Sequence, residues 1–106
     1  MKKESLLVLL TSLAMLILPS ARVLADDFTG SIKVGIGKGD EYPNLAKVSL
    51  EEAVKAALTK VPGKAVKAEL DREDGYLIYE VKIVSPDKKE HEVMVDAGTK
   101  EILKSE

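Results

Sequence analysis

Apolar residues change their spacing along this chain. From Leu6 to Leu18 they run almost unbroken, from Leu50 to Val61 they recur at helical intervals, and after Gly63 they alternate with polar residues. Leu50, Ala53, Val54, Ala57, Leu58 and Val61 fall at i, i+3, i+4, i+7, i+8 and i+11, the narrow stripe of an amphipathic helix facing one core. Ser49 and Glu52 form a Ser-x-x-Glu capping box at its start, Val48 is placed to act as a staple, and Pro62-Gly63 stops it.

Beyond Gly63 the period is two. Val66, Ala68 and Leu70 alternate with Lys67, Glu69 and Asp71, and Glu73-Asp74-Gly75 supplies a hairpin turn with Gly where a positive φ is easiest. A second strand, Tyr76 to Val84, puts Leu77, Tyr79, Val81 and Ile83 on one face; Pro86 to Lys89 turns the chain again. Val93, Val95 and Ala97 continue that face, Asp96 to Lys100 makes a tight turn, and Ile102 and Leu103 offer a short closing strand. Strands joined by such short turns are antiparallel, and the helix stripe is their lid. The expected fold is α+β: one amphipathic helix packed on an antiparallel sheet of three to four strands. Phe28, Gly30, Ile32, Val34 and Ile36 alternate ahead of it as a short N-terminal strand, and Gly37 to Leu45 reads as a connecting loop.

The first apolar run is an address rather than part of this fold. Met1, Lys2 and Lys3 make a positive start, 13 apolar-rich residues follow, and Val23-Leu24-Ala25 suits a signal peptidase, with cleavage expected at about Ala25. Thirteen residues fall short of the roughly 20 that span a bilayer, so membrane contact is expected only through this segment before cleavage. The expected organisation is a signal peptide at 1–25, an N-terminal strand and loop at 26–45, and one folded domain at 46–106, in a periplasmic or secreted protein. Of 106 residues, 81 would remain, one domain with a modest core.

Charge and composition exclude several functions. The lost segment takes three of 16 basic and one of 18 acidic side chains, leaving 13 against 17 and a net charge of −4, which argues against nucleic acid and anionic lipid as main partners. The chain has no cysteine, which removes disulfides, thiolate catalysis, lipoprotein attachment, haem attachment and cysteine-based metal sites. A domain of this size is marginal on apolar packing alone, so self-association or a partner is expected to add stability.

Ser49-Leu50-Glu51-Glu52-Ala53, Val61-Pro62-Gly63-Lys64, Glu69-Leu70 with Asp74-Gly75-Tyr76, Tyr79-Glu80-Val81 and Val95-Asp96-Ala97-Gly98-Thr99 together resemble the PepSY domain of metallopeptidase propeptides and small exported bacterial proteins. The resemblance covers roughly Ala46 to Lys104 and implies a small α+β fold that binds or restrains peptidases outside the cytoplasm, with no catalytic residue to carry over. Lys100 departs from the family, which usually has Gly there; this would hand the positive φ of the turn to Gly98.

Sharper chemistry is hard to place. Gly35-Ile36-Gly37-Lys38-Gly39 lacks the Gly-Lys-Ser/Thr ending of a phosphate loop, and Asp71, Glu73 and Asp74 depart from calcium-loop spacing and are explained by a turn. His91 is the only histidine and Ser49 is accounted for by its cap, so no catalytic, cofactor or metal residue is assigned and no enzyme activity is expected. By alternation the sheet face away from the helix carries Tyr76, Ile78, Glu80, Lys82, Met94 and Leu103. Its apolar members, Tyr76, Ile78, Met94 and Leu103, form the candidate partner surface, unless the N-terminal segment or a twisted sheet covers them. The expected function is a non-enzymatic exported protein-binding module that modulates or inhibits a peptidase, with docking through this face or an unpaired sheet edge. An envelope sensor for a small molecule or metal ion is the alternative, and homodimerisation through the sheet a third reading.

Overall fold

The computed structural model describes residues 28–106; the expected signal segment and its cleavage point lie outside the described residues. After a 3-10 turn at Gly39–Glu41 come helix α1 (Tyr42–Leu45), helix α2 (Leu50–Lys60) and strands β1 (Lys64–Glu73), β2 (Tyr76–Val84), β3 (Glu90–Asp96) and β4 (Ile102–Ser105). The strands form one antiparallel sheet in the order β1-β2-β3-β4, so each is hydrogen-bonded to its neighbour in sequence, and the architecture is α+β.

The start of α2 is set by its cap. Ser49 Oγ accepts the Glu52 N–H at 3.1 Å while Glu52 Oε1 accepts the Ser49 N–H at 3.0 Å, satisfying two groups that helix geometry would orphan. Both hydrogen bonds favour the ionised carboxylate, and they hold Glu52 below its usual pKa. Ala53 and Ala57 are fully buried and bring the helix axis close to the sheet, with Val54, Leu58 and Val61 packed around them. Leu50, the first residue of the expected stripe and of the helix, is instead exposed. Val48, just outside the helix, is buried, and its carbonyl accepts the buried Tyr79 hydroxyl at 2.6 Å, tying the helix entry to the middle of β2.

The inner face follows the alternation along β2 and β3: Leu77, Tyr79, Val81, Ile83, Val93, Val95 and Ala97 are all in the core. Each buried Val, Leu or Ile among them contributes about 1.5–3 kcal/mol. Strand β1 does not alternate throughout. Its register with β2 slips between Ala65 and Lys67, so Ala65 packs on the core and Val66 is pushed out to 53% exposure. A bulge adds one residue to one strand, and every side chain beyond it changes face relative to a strict period of two. A second slip, between Met94 and Val95, lies where Leu103 has no direct partner on β3.

Two other expectations change. The loop from Gly37 to Leu45 contains the 3-10 turn and α1; Pro43 sits in the first turn of α1, where its missing N–H costs nothing, and Tyr42 is buried against the core. In the final turn Lys100 itself takes the positive φ, at 73°, and Gly98 does not. Gly98 is needed there for space: a Cβ would fall on Ser31 Oγ and at 3.2 Å from the Ile32 side chain. Asp74 and Gly75 take positive φ of 54° and 86° in the β1–β2 hairpin.

Candidate functional site

Strand register places the residues of the outward sheet face, the candidate surface. Lys67 lies opposite Lys82, Glu69 opposite Glu80, Lys82 opposite Glu92, and Met94 opposite Lys104. The face is therefore a lattice of charges with like pairs at two cross-strand positions, which disfavour the sheet locally. Partial burial raises the Glu80 pKa above the ordinary carboxylate value, and the adjacent Glu92, which shares a hydrogen bond with it, pushes it further in the same direction.

The four apolar candidates do not make an exposed patch. Ile78 is fully buried at 0% exposure, Met94 is buried at 9%, and Tyr76 and Leu103 are half-buried. The cause at Tyr76 is the N-terminal segment: a Cβ on Gly30 would fall 2.7 Å from the Tyr76 Cβ, so the backbone at Gly30 lies directly on that side chain. Leu103 leaves the simple alternation because of the slip in β4. On the sheet, the exposed large apolar side chain is Val66, at the bulge of edge strand β1, beside the exposed Lys67 and Glu69, whose ion pair spans 3.5 Å. Exposed pairs of this kind contribute little to stability and are free to re-pair with a partner.

The N-terminal segment is wired into the domain more deeply than its glycines suggest. In place of the expected N-terminal strand there is one isolated bridge, Lys33 antiparallel to Tyr76, flanked by hydrogen bonds of 2.9 Å from the Leu77 N–H to the Ile32 carbonyl and from the Val34 N–H to the Gly75 carbonyl. Ile32 and Val34 pack on the core. At the same place the Asp96 carboxylate, only 2% exposed, accepts four hydrogen bonds. Two come from the Ser31 N–H at 3.1 Å and the Ser31 hydroxyl at 2.9 Å; the others come from the Gly98 N–H at 3.0 Å and the Thr99 hydroxyl at 2.9 Å. A buried carboxylate is stable only when its oxygens are supplied with donors, and here the donors are shared between the last turn and the N-terminal segment. Asp96 and Ser31 are 65 residues apart, and no local signal pairs them.

At the opposite end, the β2–β3 turn brings Ser85 Oγ within 3.0 Å of His91 Nε2, in an open cleft of about 530 Å³ that Val61, Pro62 and Asp87 also line. The Asp87 carboxylate is hydrogen-bonded to the Ser85 hydroxyl, which lowers its pKa. The carboxylate thus addresses the serine and not the far nitrogen of the imidazole, where a hydrolytic triad needs it. The sequence pattern does not single out this pairing of Ser85 with His91; the turn between them is its one local signal. A second open cleft, about 550 Å³, lies between α2 and the last turn, with Glu52, Lys55 and Lys100 at its rim. Asp71 turns back on the chain to accept the Arg72 N–H at 2.7 Å, and among the described residues no group of three or more acidic or histidine side chains is arranged to hold a metal ion.

Set beside known proteins, residues 47–106 match the family model PepSY, described as the peptidase propeptide and YPEB domain. No curated protein and no solved structure matches.

Proposed function

Since the chain belongs to the peptidase propeptide and YPEB domain family, we propose that it is a non-enzymatic protein-binding module of the cell envelope that modulates or inhibits an extracytoplasmic peptidase. The family match over residues 47–106, which takes in α2 and the whole sheet, is the observation that carries this reading. The contact surface is the open edge of β1 with the outward face beside it. Strand β1 is ten residues long, pairs among the described residues only with β2, and bears Val66, Lys67 and Glu69 exposed. An unpaired strand edge offers main-chain donors and acceptors to an extended partner segment, and the side chains beside it set selectivity.

The reading is tested by capture from an envelope extract of the host, using the chain and a Val66→Asp variant, a surface change that spares the core. Recovery of a peptidase that is lost with Val66→Asp supports docking at β1. Recovery of no peptidase, or equal recovery by both chains, overturns docking at this edge, and recovery of no peptidase also overturns the peptidase reading.

A further inference from the structure

Residues Gly30 to Val34 lie outside the family match, yet they fill a seat built for them within it. We infer that this seat, formed by Arg72, the Gly75–Leu77 backbone and Asp96, also accepts Gly30 to Val34 of a second copy of the chain, so that the protein exchanges this N-terminal segment in a swapped dimer. This inference is independent of the peptidase reading.

The seat specifies its occupant. Gly30 must lack a side chain because Tyr76 occupies that space, and Ser31 must carry both a main-chain and a side-chain donor for Asp96. Ile32 and Val34 must be apolar, and the Val34 carbonyl accepts the Arg72 Nε–H at 3.0 Å. A second copy carries the same sequence and meets each of these conditions.

The link to the rest of the chain permits the exchange. Residues 35–41 are exposed throughout, Ile36 is 82% exposed, and a Cβ on Gly37 or Gly39 would meet nothing within 4 Å. The Tyr42 hydroxyl bond to the Gly35 carbonyl is long, at 3.4 Å. Opening the link therefore gives up few contacts, and its seven residues can extend roughly 23–25 Å, far enough to reach a neighbour. Contacts within the seat are the same in the closed monomer and the swapped dimer, so exchange is a low-cost route to association. An empty seat is costly, because it removes two of the four donors to the Asp96 carboxylate and the partners of the Gly75 carbonyl and the Leu77 N–H.

The chain has no cysteine, which makes the test clean. Lys33 and Tyr76 form a non-hydrogen-bonded antiparallel pair, whose Cα separation of about 4.5 Å suits a disulfide. Chains expressed from Met1 and purified after export, one with Lys33→Cys and one with Tyr76→Cys, are mixed, unfolded, refolded at high concentration and oxidised. The expected result is a covalent heterodimer several-fold more abundant than with Ile36→Cys in place of Lys33→Cys, rising with protein concentration. Should Tyr76→Cys not fold, the whole chain with Gly37 and Lys38 deleted serves instead, since a shortened link cannot fold back; light scattering is expected to give the dimer mass. A heterodimer no more abundant than the Ile36→Cys control, or a deletion variant that stays monomeric, overturns the inference.

Discussion

Replacing Asp96 by Ala probes the node on which the N-terminal segment and the last turn both depend. The carboxylate is 2% exposed and accepts four hydrogen bonds. A hydrogen bond to a charged acceptor is worth about 1.5–3 kcal/mol net, and the Ser31 and Gly98 N–H groups would be left without this acceptor at about 1–3 kcal/mol each. These terms overlap, and relief of carboxylate desolvation offsets part of them, so the expected loss is about 3–5 kcal/mol. A domain of this size has roughly 4–12 kcal/mol in total, so Asp96→Ala removes a large share of it. Urea unfolding followed by tyrosine fluorescence measures the loss. Ser31→Ala should cost about 1–2 kcal/mol alone, and the two changes together should cost less than their sum by about 1 kcal/mol, because they share one interaction. An Asp96→Ala chain within about 0.5 kcal/mol of the parent would refute the reasoning, since that is the range of ordinary surface substitutions.

Three further outcomes are expected. Ile78→Glu places a carboxyl at a fully buried position and should lower stability by at least about 3 kcal/mol in the same assay, so it tests folding and not partner binding. Tyr79→Phe leaves the buried Val48 carbonyl without its donor and should cost about 1–2 kcal/mol; burial raises the Tyr79 pKa, so the stability it contributes is intact below the unfolded tyrosine value near 10 and is lost as pH rises through the folded value, a loss that Tyr79→Phe should reduce. Glu80→Gln should stabilise by up to about 1 kcal/mol at pH 7, where Glu69, Glu92 and Glu73 repel the ionised Glu80; because its folded pKa is raised, the gain should vanish as pH falls below the unfolded carboxyl value, which thermal melts at pH 7 and pH 3.5 would show.

Much of the fold is legible in the sequence because its signals are local. The Ser49–Glu52 cap, the alanine-bearing helical stripe and the Gly75 turn each follow from residues a few positions apart. The bulges at Val66 and Leu103 are not legible, because one extra residue leaves the alternation looking intact while moving the side chains. Alternation likewise reads an apolar patch off Tyr76, Ile78, Met94 and Leu103; Gly30 of the N-terminal segment lies on Tyr76, a long-range contact with no local signal, and Ile78 and Met94 are buried. Gly98 also looked like the residue for the positive φ; its size is needed for Ser31, and Lys100 adopts the strained angle instead. Alternation from Phe28 to Ile36 predicts a strand, but the segment forms only the single bridge at Lys33, and its anchoring to Asp96 is long-range and depends on the closed tertiary structure.

The proposal that the chain restrains a peptidase is put to the proof by titrating the purified chain into a peptidase captured with it from a host extract and following substrate hydrolysis. A saturable fall in activity, weakened several-fold by Val66→Asp and absent with unfolded chain, is the predicted result. Activity unchanged at saturating protein, or hydrolysis of the substrate by the chain alone, would contradict the account.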